Sequence, residues 1–195
     1  MCVFPDVTGA IDGTHINIKA LKHNSAAYIN RKGQHSVVLQ AVCTVDLKFI
    51  DCYCGEVGSV HDATVLRRSS LYQRMLLDAT MCPGDTHLIG NAAYTLLKTL
   101  MVPFKDTGSL TARQQKYNTT LSATRCAIER AFGLLKGRFR RLKCLDMTRV
   151  QFIPKTVIAC CVLHNLSIED CDLIDEDADA DESINEQTME MSFDG

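Results

Sequence analysis

Glu129 is a single carboxylate in a strongly basic stretch of the sequence. At 100° per residue, Arg125, Lys136 and Arg140 fall on the same side of a helix as Glu129. Further cations widen this positive surface: Arg130, Arg138, Arg141 and Lys143. Two interpretations are open at this point. Glu129 is either the ion-pair partner of Arg125 four residues earlier, or a metal-binding acid beside a ridge of phosphate-binding cations.

The segment that carries Glu129 has the pattern of one long helix over residues 118–143. Its apolar residues recur at i, i+4, i+7 and i+11 and form one stripe: Ile128, Phe132, Leu135 and Phe139. Ser122 or Thr120 is the expected N-terminal cap. The polar stretch before it, residues 105–117, is predicted to be a linker.

Three strands are predicted in the first third of the chain. Residues 9–21 form a strand in which Asp12 and Thr14 share a face with Ile16 and Ile18, by the period of two. Residues 36–46 and 49–57 are rich in β-branched side chains and are joined by a short connection, which predicts a hairpin.

The rest of the chain alternates helices with one more strand. We predict a helix over 60–77 with Asp62 in its first turn, then a strand over 86–94 that ends near Asn91. Residues 96–104 are expected to be helical, and 152–165 to be a final packing helix. Sites in α/β sheets gather where strands end, which would bring Asp12, Asn91 and Glu129 towards one place.

Charge is distributed very unevenly along the 195 residues. Residues 1–155 hold all 21 basic residues against 11 of the 23 acidic ones, a net charge of +10. The remaining 12 acids lie in residues 169–195, where few side chains are apolar. We therefore expect a single ordered domain, 1–168, with a polyanion as partner, followed by an acidic disordered tail, 169–195.

Cysteine usage and hydropathy narrow the class of protein. The ten cysteines contain no CxxC pair, and several lie in apolar runs, which favours reduced thiols and an intracellular protein. The mean hydropathy is −0.01 and no run of 18 apolar residues occurs, so no membrane span is expected.

A set of motifs spread over residues 4–166 resembles the DDE nuclease domain of Harbinger-type transposases and of the nucleases derived from them. The resemblance rests on their order and spacing more than on any single motif. The matching residues are Gly9 to His15, Gly58, His61-Asp62, Leu88-Ile89-Gly90, Tyr94, Asn118, Ser122, Arg125, Ile128 to Gly133, Leu135 to Phe139, and Val162 to Asn165.

The resemblance implies an α/β, RNase H-like fold: a mixed β-sheet, with an antiparallel hairpin plus a parallel strand, and helices on both faces. It also implies three metal ligands that hold one or two divalent cations, Mg²⁺ or Mn²⁺. Asp12 matches the first ligand and Glu129 the third. The second acid is replaced by Asn91, which either brings a neutral amide oxygen where a carboxylate is expected or is a structural loop amide left after the site has decayed. Asp62 is a candidate fourth ligand, with a charge at the start of a helix as the alternative.

The function implied is divalent-metal-dependent cleavage of DNA phosphodiester bonds, weakened by Asn91. The alternative is a domesticated, catalytically inactive protein that binds DNA or a partner, so enzymatic activity itself stays open. DNA contact is expected through backbone phosphates, and the candidate phosphate-binding residues are Arg125, Lys136, Arg138, Arg140, Arg141 and Lys143. By resemblance alone, a Myb-like partner protein and a location in the nucleus and cytoplasm are expected.

Overall fold

A computed structural model describes residues 4–20, 25–78, 81–147 and 149–169. The described part of the chain contains one six-stranded sheet. Its strands are β1 (Val7–Ile18), β2 (Ser36–Cys43), β3 (Phe49–Val57), β4 (His87–Ile89), β5 (Leu100–Met101) and β6 (Cys144–Leu145). The helices are α1 (Asp62–Arg68), α2 (Ser70–Leu77), α3 (Ala112–Arg138) and α4 (Ile153–Glu169).

The strand order is β3-β2-β1-β4-β5, with β6 paired to the far end of β1. β1, β2 and β3 run antiparallel to one another in turn, whereas β4 lies parallel to β1 and β5 parallel to β4. An antiparallel hairpin joined to parallel strands is the mixed α/β, RNase H-like arrangement that the sequence predicts, and that prediction is confirmed.

Helices cover both faces of the sheet, as predicted. On one face, α3 and α4 share a core with β1 and β2, which includes Ile16, Leu39, Ile128 and Leu135. On the other face, the second core is built by Leu66 of α1, Leu71 and Met75 of α2, and sheet residues that include Ile11, Val42 and Leu88. The period of two along β1 therefore sends Ile11 to one core and Ile16 to the other.

The long helix is displaced from its predicted position. It begins at Ala112, capped by Thr111, whose side chain and that of Gln114 form a reciprocal capping box. The predicted caps at Ser122 and Thr120 are therefore wrong. The linker predicted over residues 105–117 is wrong for its second half, because residues 112–117 belong to the helix. The helix ends at Arg138, and a 3₁₀ turn, Arg140–Lys143, leads directly into β6.

Two further predictions need correction. The helix expected over 60–77 is divided at Ser69, whose backbone is extended and whose buried hydroxyl donates to Leu66 O at 2.7 Å. The helical prediction for 96–104 is wrong, because Leu100–Met101 pairs with β4 as a parallel strand. A short apolar run cannot be assigned to helix or strand by periodicity alone, and pairing with β4 decides this one.

The C-terminal helix confirms the predicted packing helix, and it is also apolar by composition. Within the residues described, Val150–Glu169 is the one helical segment long and apolar enough to cross a membrane, with a hydropathy of 1.2. One such helix is weak evidence, since core helices pass the same test. Ile153, Val157 and Cys161 of α4 are buried in the core shared with the sheet. That no membrane is involved stays a prediction.

The predicted acidic tail falls almost wholly outside the described residues. Glu169, its first residue, is the last residue of α4 and pairs with Lys48 at 3.1 Å. Residues 170–195 are not described.

Candidate nuclease site

Asp12 lies in the middle of β1 and faces α3. Its Oδ2 accepts a hydrogen bond of 2.7 Å from Arg125 Nη1. The two side chains are only 15% and 17% exposed, so this ion pair is largely shielded from solvent. Its Oδ1 accepts from the Gly13 backbone N–H at 2.8 Å. The β1 alternation that buries Ile16 on the α3 side places Asp12 on that side as well, as the sequence predicts.

Asn91 reaches Asp12 because β4 lies parallel to β1. Ala10 pairs with Ile89, so the chain that leaves β4 passes beside the next residues of β1. Asn91 Nδ2 donates to Asp12 Oδ1 at 2.8 Å, and Asn91 Oδ1 accepts from the Ala93 backbone N–H at 2.8 Å. Both ends of the amide are therefore in use, and the end that faces Asp12 is a hydrogen-bond donor.

Glu129 joins the site through Arg125. Arg125 Nη2 lies 2.7 Å from Glu129 Oε1, one helical turn further along α3, while its Nη1 holds Asp12. The guanidinium thus bridges the two carboxylates, with Glu129 at the solvent side, 53% exposed. The structure contains the Arg125–Glu129 ion pair and, at the same time, brings Asp12 and Glu129 together around one cation, while Asn91 joins them through its hydrogen bond to Asp12.

Asp62 approaches the site from the opposite side of β1. A Cβ added at Gly13 would lie 2.4 Å from Asp62 Oδ1, so the carboxylate rests directly against the glycine backbone. Only glycine leaves room for this approach. The first turn of α1 therefore brings Asp62 next to Asp12 along β1, without a direct hydrogen bond between them among the described contacts.

Opposing effects act on the pKa of the Asp12 carboxyl. Burial raises the pKa of the Asp12 carboxyl above its usual value of 3.8, and the nearby Asp62 and Glu129 carboxylates raise it further. The Gly13 N–H and the Arg125 guanidinium act in the opposite direction, although they do not cancel the effect of burial. A cation beside Asp12 is thus needed to keep a partly buried charge there.

The side chains as arranged do not fit a divalent ion. Among the described residues, no three His, Cys, Asp or Glu side chains lie close enough together to hold a metal. Asp12 uses both oxygens on Arg125, Asn91 and Gly13. The amide oxygen of Asn91 is occupied by Ala93 N–H. The guanidinium of Arg125 thus takes the position between the carboxylates that a cation would need.

The six candidate phosphate-binding residues are divided by the structure into two groups. Arg125 and Lys136 turn towards β1, and Lys136 Nζ donates to Thr14 Oγ1 at 2.8 Å and to His15 O at 3.0 Å. Burial lowers the pKa of Lys136, and the Lys32 charge lowers it further. The others lie at the end of α3 and in the 3₁₀ turn: Arg138, Arg140, Arg141 and Lys143. Arg140, Arg141 and Lys143 are exposed, whereas Arg138 contacts His164.

Gln40 is a residue of the site surroundings that the sequence analysis did not identify. It is 2% exposed in β2, and its Nε2 donates to Tyr94 OH at 3.1 Å and to Asp62 O at 3.3 Å. It therefore ties the start of α1 and the loop after β4 to the sheet. A single amide inside the apolar run of β2 was the signal that could have found it, because a buried polar side chain needs partners.

Comparison with known proteins supports the family resemblance. Residues 11–165 match the family model of the DDE superfamily endonucleases. The chain is 36% identical over 171 residues to "Putative nuclease HARBI1" of Mus musculus. The matched region covers 85% of this chain and 47% of that protein. It is 31% identical to the Xenopus laevis protein of the same name, covering 96% of the chain and 54% of that protein.

A plant protein is similar over the same region. "Protein ALP1-like" of Arabidopsis thaliana is 28% identical over 203 residues, covering 97% of this chain and 48% of that protein. The chain therefore spans about half the length of the curated relatives that it matches. No solved structure matches it significantly.

The mixed sheet and the match to the family model place this domain in the transposase-derived DDE class, in which the animal relatives are named nucleases. The chain belongs to the DDE superfamily endonuclease family, and the resemblance to Harbinger transposase-derived nucleases is confirmed.

Proposed function

We propose that this domain contacts DNA through backbone phosphates and carries a divalent-metal-dependent phosphodiester cleavage site that asparagine at position 91 has weakened. A metal could use Asp12 and Glu129 only after displacing the Arg125 guanidinium that now bridges them. Asp12 and Glu129 supply the two carboxylates and Asn91 the neutral third group. Mg²⁺ or Mn²⁺ would supply charge stabilisation at phosphorus. A Myb-like partner and a nuclear as well as cytoplasmic location belong to the same proposal, on the strength of family resemblance.

The observation that supports this proposal is the hydrogen bond from Asn91 Nδ2 to Asp12 Oδ1, 2.8 Å long. An amide N–H cannot bind a metal cation, whereas a carboxylate oxygen at the same place can. Replacing an acid ligand by an amide removes one negative charge from the site. Changes even outside the ligand set cost roughly 10–100-fold at metal sites, so weak cleavage is the expected result.

A second candidate function is a non-cleaving, DNA- or partner-binding domain. It is favoured by the Arg125 guanidinium, which contacts Asp12 at 2.7 Å and Glu129 at 2.7 Å. This arrangement neutralises the acids without any metal. The basic surface of the domain would be retained in that case, and only the chemistry would be lost.

The test is a nicking assay on supercoiled DNA with Mg²⁺ and, separately, with Mn²⁺. Three proteins are compared: the native chain, Asn91→Asp, and Asn91→Asp combined with Glu129→Gln. We expect slow nicking by the native chain, at least about tenfold faster nicking by Asn91→Asp, and none by the double variant.

The other outcomes separate the two candidates. Nicking by Asn91→Asp alone, with none by the native chain, favours the non-cleaving function. Nicking by the double variant at the rate of Asn91→Asp would show that Glu129 has no part in the chemistry and would contradict the proposed site. If none of the three cuts, the cleavage proposal for this chain is wrong.

A further inference from the structure

A second group of cations lies beside the site. Two of them, Arg31 and Lys32, lie on a loop that contains none of the candidate phosphate-binding residues. Arg31 and Lys32 are exposed in the turn between a 3₁₀ helix, Ser25–Tyr28, and β2. Arg31 Nη2 lies 2.7 Å from His61 Nδ1. We call Arg31, Lys32, His61, His15 and Lys136 the loop cluster.

The loop is held in shape from inside by Asn30, which is 7% exposed. Asn30 Oδ1 accepts from the backbone N–H groups of Lys32 and Gln34 at 2.9 and 3.1 Å. Asn30 Nδ2 donates to Ser36 Oγ at 3.1 Å. The positions of Arg31 and Lys32 thus depend on a buried amide and not on their own side chains, so the loop is ordered before any ligand arrives.

The same network ties the loop to β1. Ser36 Oγ, which Asn30 holds, also lies 3.0 Å from His15 Nδ1. Gly58, the residue after β3, packs against Ser36: a Cβ added at Gly58 would lie 2.3 Å from Ser36 Oγ. This close contact sets the path of the chain towards His61. Arg31 is therefore held against His61 directly, and the loop is tied to His15 through Ser36.

Charge in this cluster is predominantly positive. Burial lowers the pKa of His15; the Asp62 charge opposes this, and the charges of Lys136, Lys32 and Arg31 lower it further, so these four charged side chains lie near the His15 ring. Three of the four are permanent cations, and Asp62 is the acid among them. In the part of the chain that the structure describes, Lys32 has no ion-pair partner.

The cluster lies at a distance from Asp12 that suits a nucleic-acid strand. His15 is three residues beyond Asp12 on β1, about 10 Å at 3.3 Å per residue, and by the period of two its side chain lies on the other face of the sheet, where Asp62 also lies. Lys136 stands between them, bonded to Thr14 and to His15 O. A DNA strand with one phosphate at Asp12 carries neighbouring phosphates on either side, and every phosphate bears a negative charge.

We propose that Arg31 and Lys32, supported by Lys136, bind backbone phosphates of the DNA strand next to the one at Asp12. The loop cluster would then extend the basic surface of Arg140, Arg141 and Lys143, which directly precedes β6 at the same end of β1. This inference rests on the proposed DNA contact and adds the residues that hold the strand on the β1 side. Arginine and lysine are the side chains that commonly bind phosphate.

The test measures affinity for a fluorescent 20-base-pair duplex over a range of salt concentrations. The loop variant is Arg31→Gln with Lys32→Gln. Its matched control, Lys98→Gln with Arg113→Gln, also removes one arginine and one lysine from exposed positions. Lys98 precedes β5, at the opposite end of the parallel strands from Asn91. Arg113 lies 12 residues before Arg125 on α3, about 18 Å along the helix. A third variant, Arg140→Gln with Arg141→Gln, reports on the other surface.

We expect the loop variant to lose at least about tenfold in affinity at low salt. Its slope of log affinity against log salt should fall by about two, because each lost phosphate contact removes about 0.9. The control should change by less than about threefold. A second readout needs no variant: DNA should slow acylation of Lys32 in the native chain but not that of Lys98, as measured by mass spectrometry.

Three results would overturn the inference. If the native chain binds DNA and the loop variant binds it as well as the control does, the loop cluster does not contact DNA. Weaker binding by Arg140→Gln with Arg141→Gln in the same experiment would place the contact on the other basic surface. If inorganic phosphate at the same ionic strength slows acylation of Lys32 as much as DNA does, the cluster is a site for the free anion and not for a DNA strand. No DNA binding by the native chain at low salt would reject the proposed DNA contact and this inference together.

Discussion

The Asn91 amide donates a hydrogen bond of 2.8 Å to Asp12 Oδ1, at the position where the family resemblance implies a second acid. Arg125 binds the other oxygen of Asp12 at 2.7 Å. Between them, a neutral donor and a guanidinium satisfy a carboxylate that is largely buried. An aspartate at position 91 would have no hydrogen to donate and would place a second negative charge beside the first.

Replacing Asn91 by aspartate should therefore destabilise the metal-free protein. The variant loses the donor to Asp12 and sets two carboxylates against each other, and we expect a loss of about 1–3 kcal/mol in the free energy of unfolding. Urea unfolding at neutral pH in the presence of a chelator measures it. The control is Asn118→Asp, which removes a donor of 2.9 Å to Phe104 O at an exposed place with no acid facing it. An equal loss in both variants would contradict the repulsion at Asp12.

Arg125 is predicted to be the main electrostatic support of the two acids. Arg125→Met removes both ion pairs and leaves Asp12, 15% exposed, without a cation. The expected loss is about 2–4 kcal/mol in the free energy of unfolding. Arg130→Met, an exposed neighbour on the same helix, should change stability by no more than about 0.5 kcal/mol. Similar small effects from both substitutions would show that the bridge contributes little.

His164 is predicted to make stability depend on pH. It is completely buried, and Arg138 Nη1 lies 3.1 Å from its Nδ1. An arginine can only donate, so Nδ1 is the acceptor and Nε2–H donates to Leu47 O at 3.0 Å. Burial lowers the pKa of His164 below 6.5, and the Arg138 charge lowers it further, while the Leu47 carbonyl opposes them.

The sign follows from proton binding. Between the folded pKa and 6.5 the unfolded chain binds the proton and the folded one does not, so stability rises with pH through this window and levels off above it. Urea unfolding from about pH 5 to 8 should show the stability of the native chain, relative to His164→Gln, falling as the pH drops below 6.5. Parallel pH profiles for the two proteins would reject this role of His164.

Gly13 and Gly133 should respond to alanine in opposite ways. A Cβ at Gly13 would lie 2.4 Å from Asp62 Oδ1, so Gly13→Ala forces the Asp62 carboxylate to rotate away and should cost about 1 kcal/mol in the free energy of unfolding. Gly133 lies on the exposed side of α3 with open space around its Cα. Gly133→Ala should stabilise the protein by up to about 1 kcal/mol. Thermal unfolding of both variants measures this contrast, and a stable Gly13→Ala protein would contradict the close contact of Asp62.

The sequence predicts the central sheet well because its strands carry strong local signals. The β-branched runs define β2 and β3, and the alternation in β1 is enough to put Asp12 on the same face as Ile16. The helix start is missed because Thr111 and Gln114 form their capping box in a polar stretch that looks like a linker. β5 and β6 are two residues long and exist only through pairing with β4 and β1, which no local pattern reports.

The sequence predicts which residues form the candidate site but not the contacts that their side chains make with one another. Motif spacing brings Asp12, Asn91 and Glu129 together, whereas the bridge made by Arg125 depends on how far α3 lies from β1. On the sequence alone Arg125 is either the ion-pair partner of Glu129 or part of a basic surface, and in the structure it also reaches inward to Asp12. The loop cluster is missed for a similar reason, since Arg31, His61 and Lys136 meet only after folding.

The central claim, that Asn91 weakens metal binding by Asp12 and Glu129, is tested most directly by the shift in melting temperature on adding Mn²⁺. The native chain, Asn91→Asp, and Asn91→Asp with Glu129→Gln are compared at millimolar Mn²⁺. We predict a shift below about 1 °C for the native chain, about 5 °C or more for Asn91→Asp, and a much reduced shift for the double variant. A native shift as large as that of Asn91→Asp, or no shift in either protein, would contradict the account.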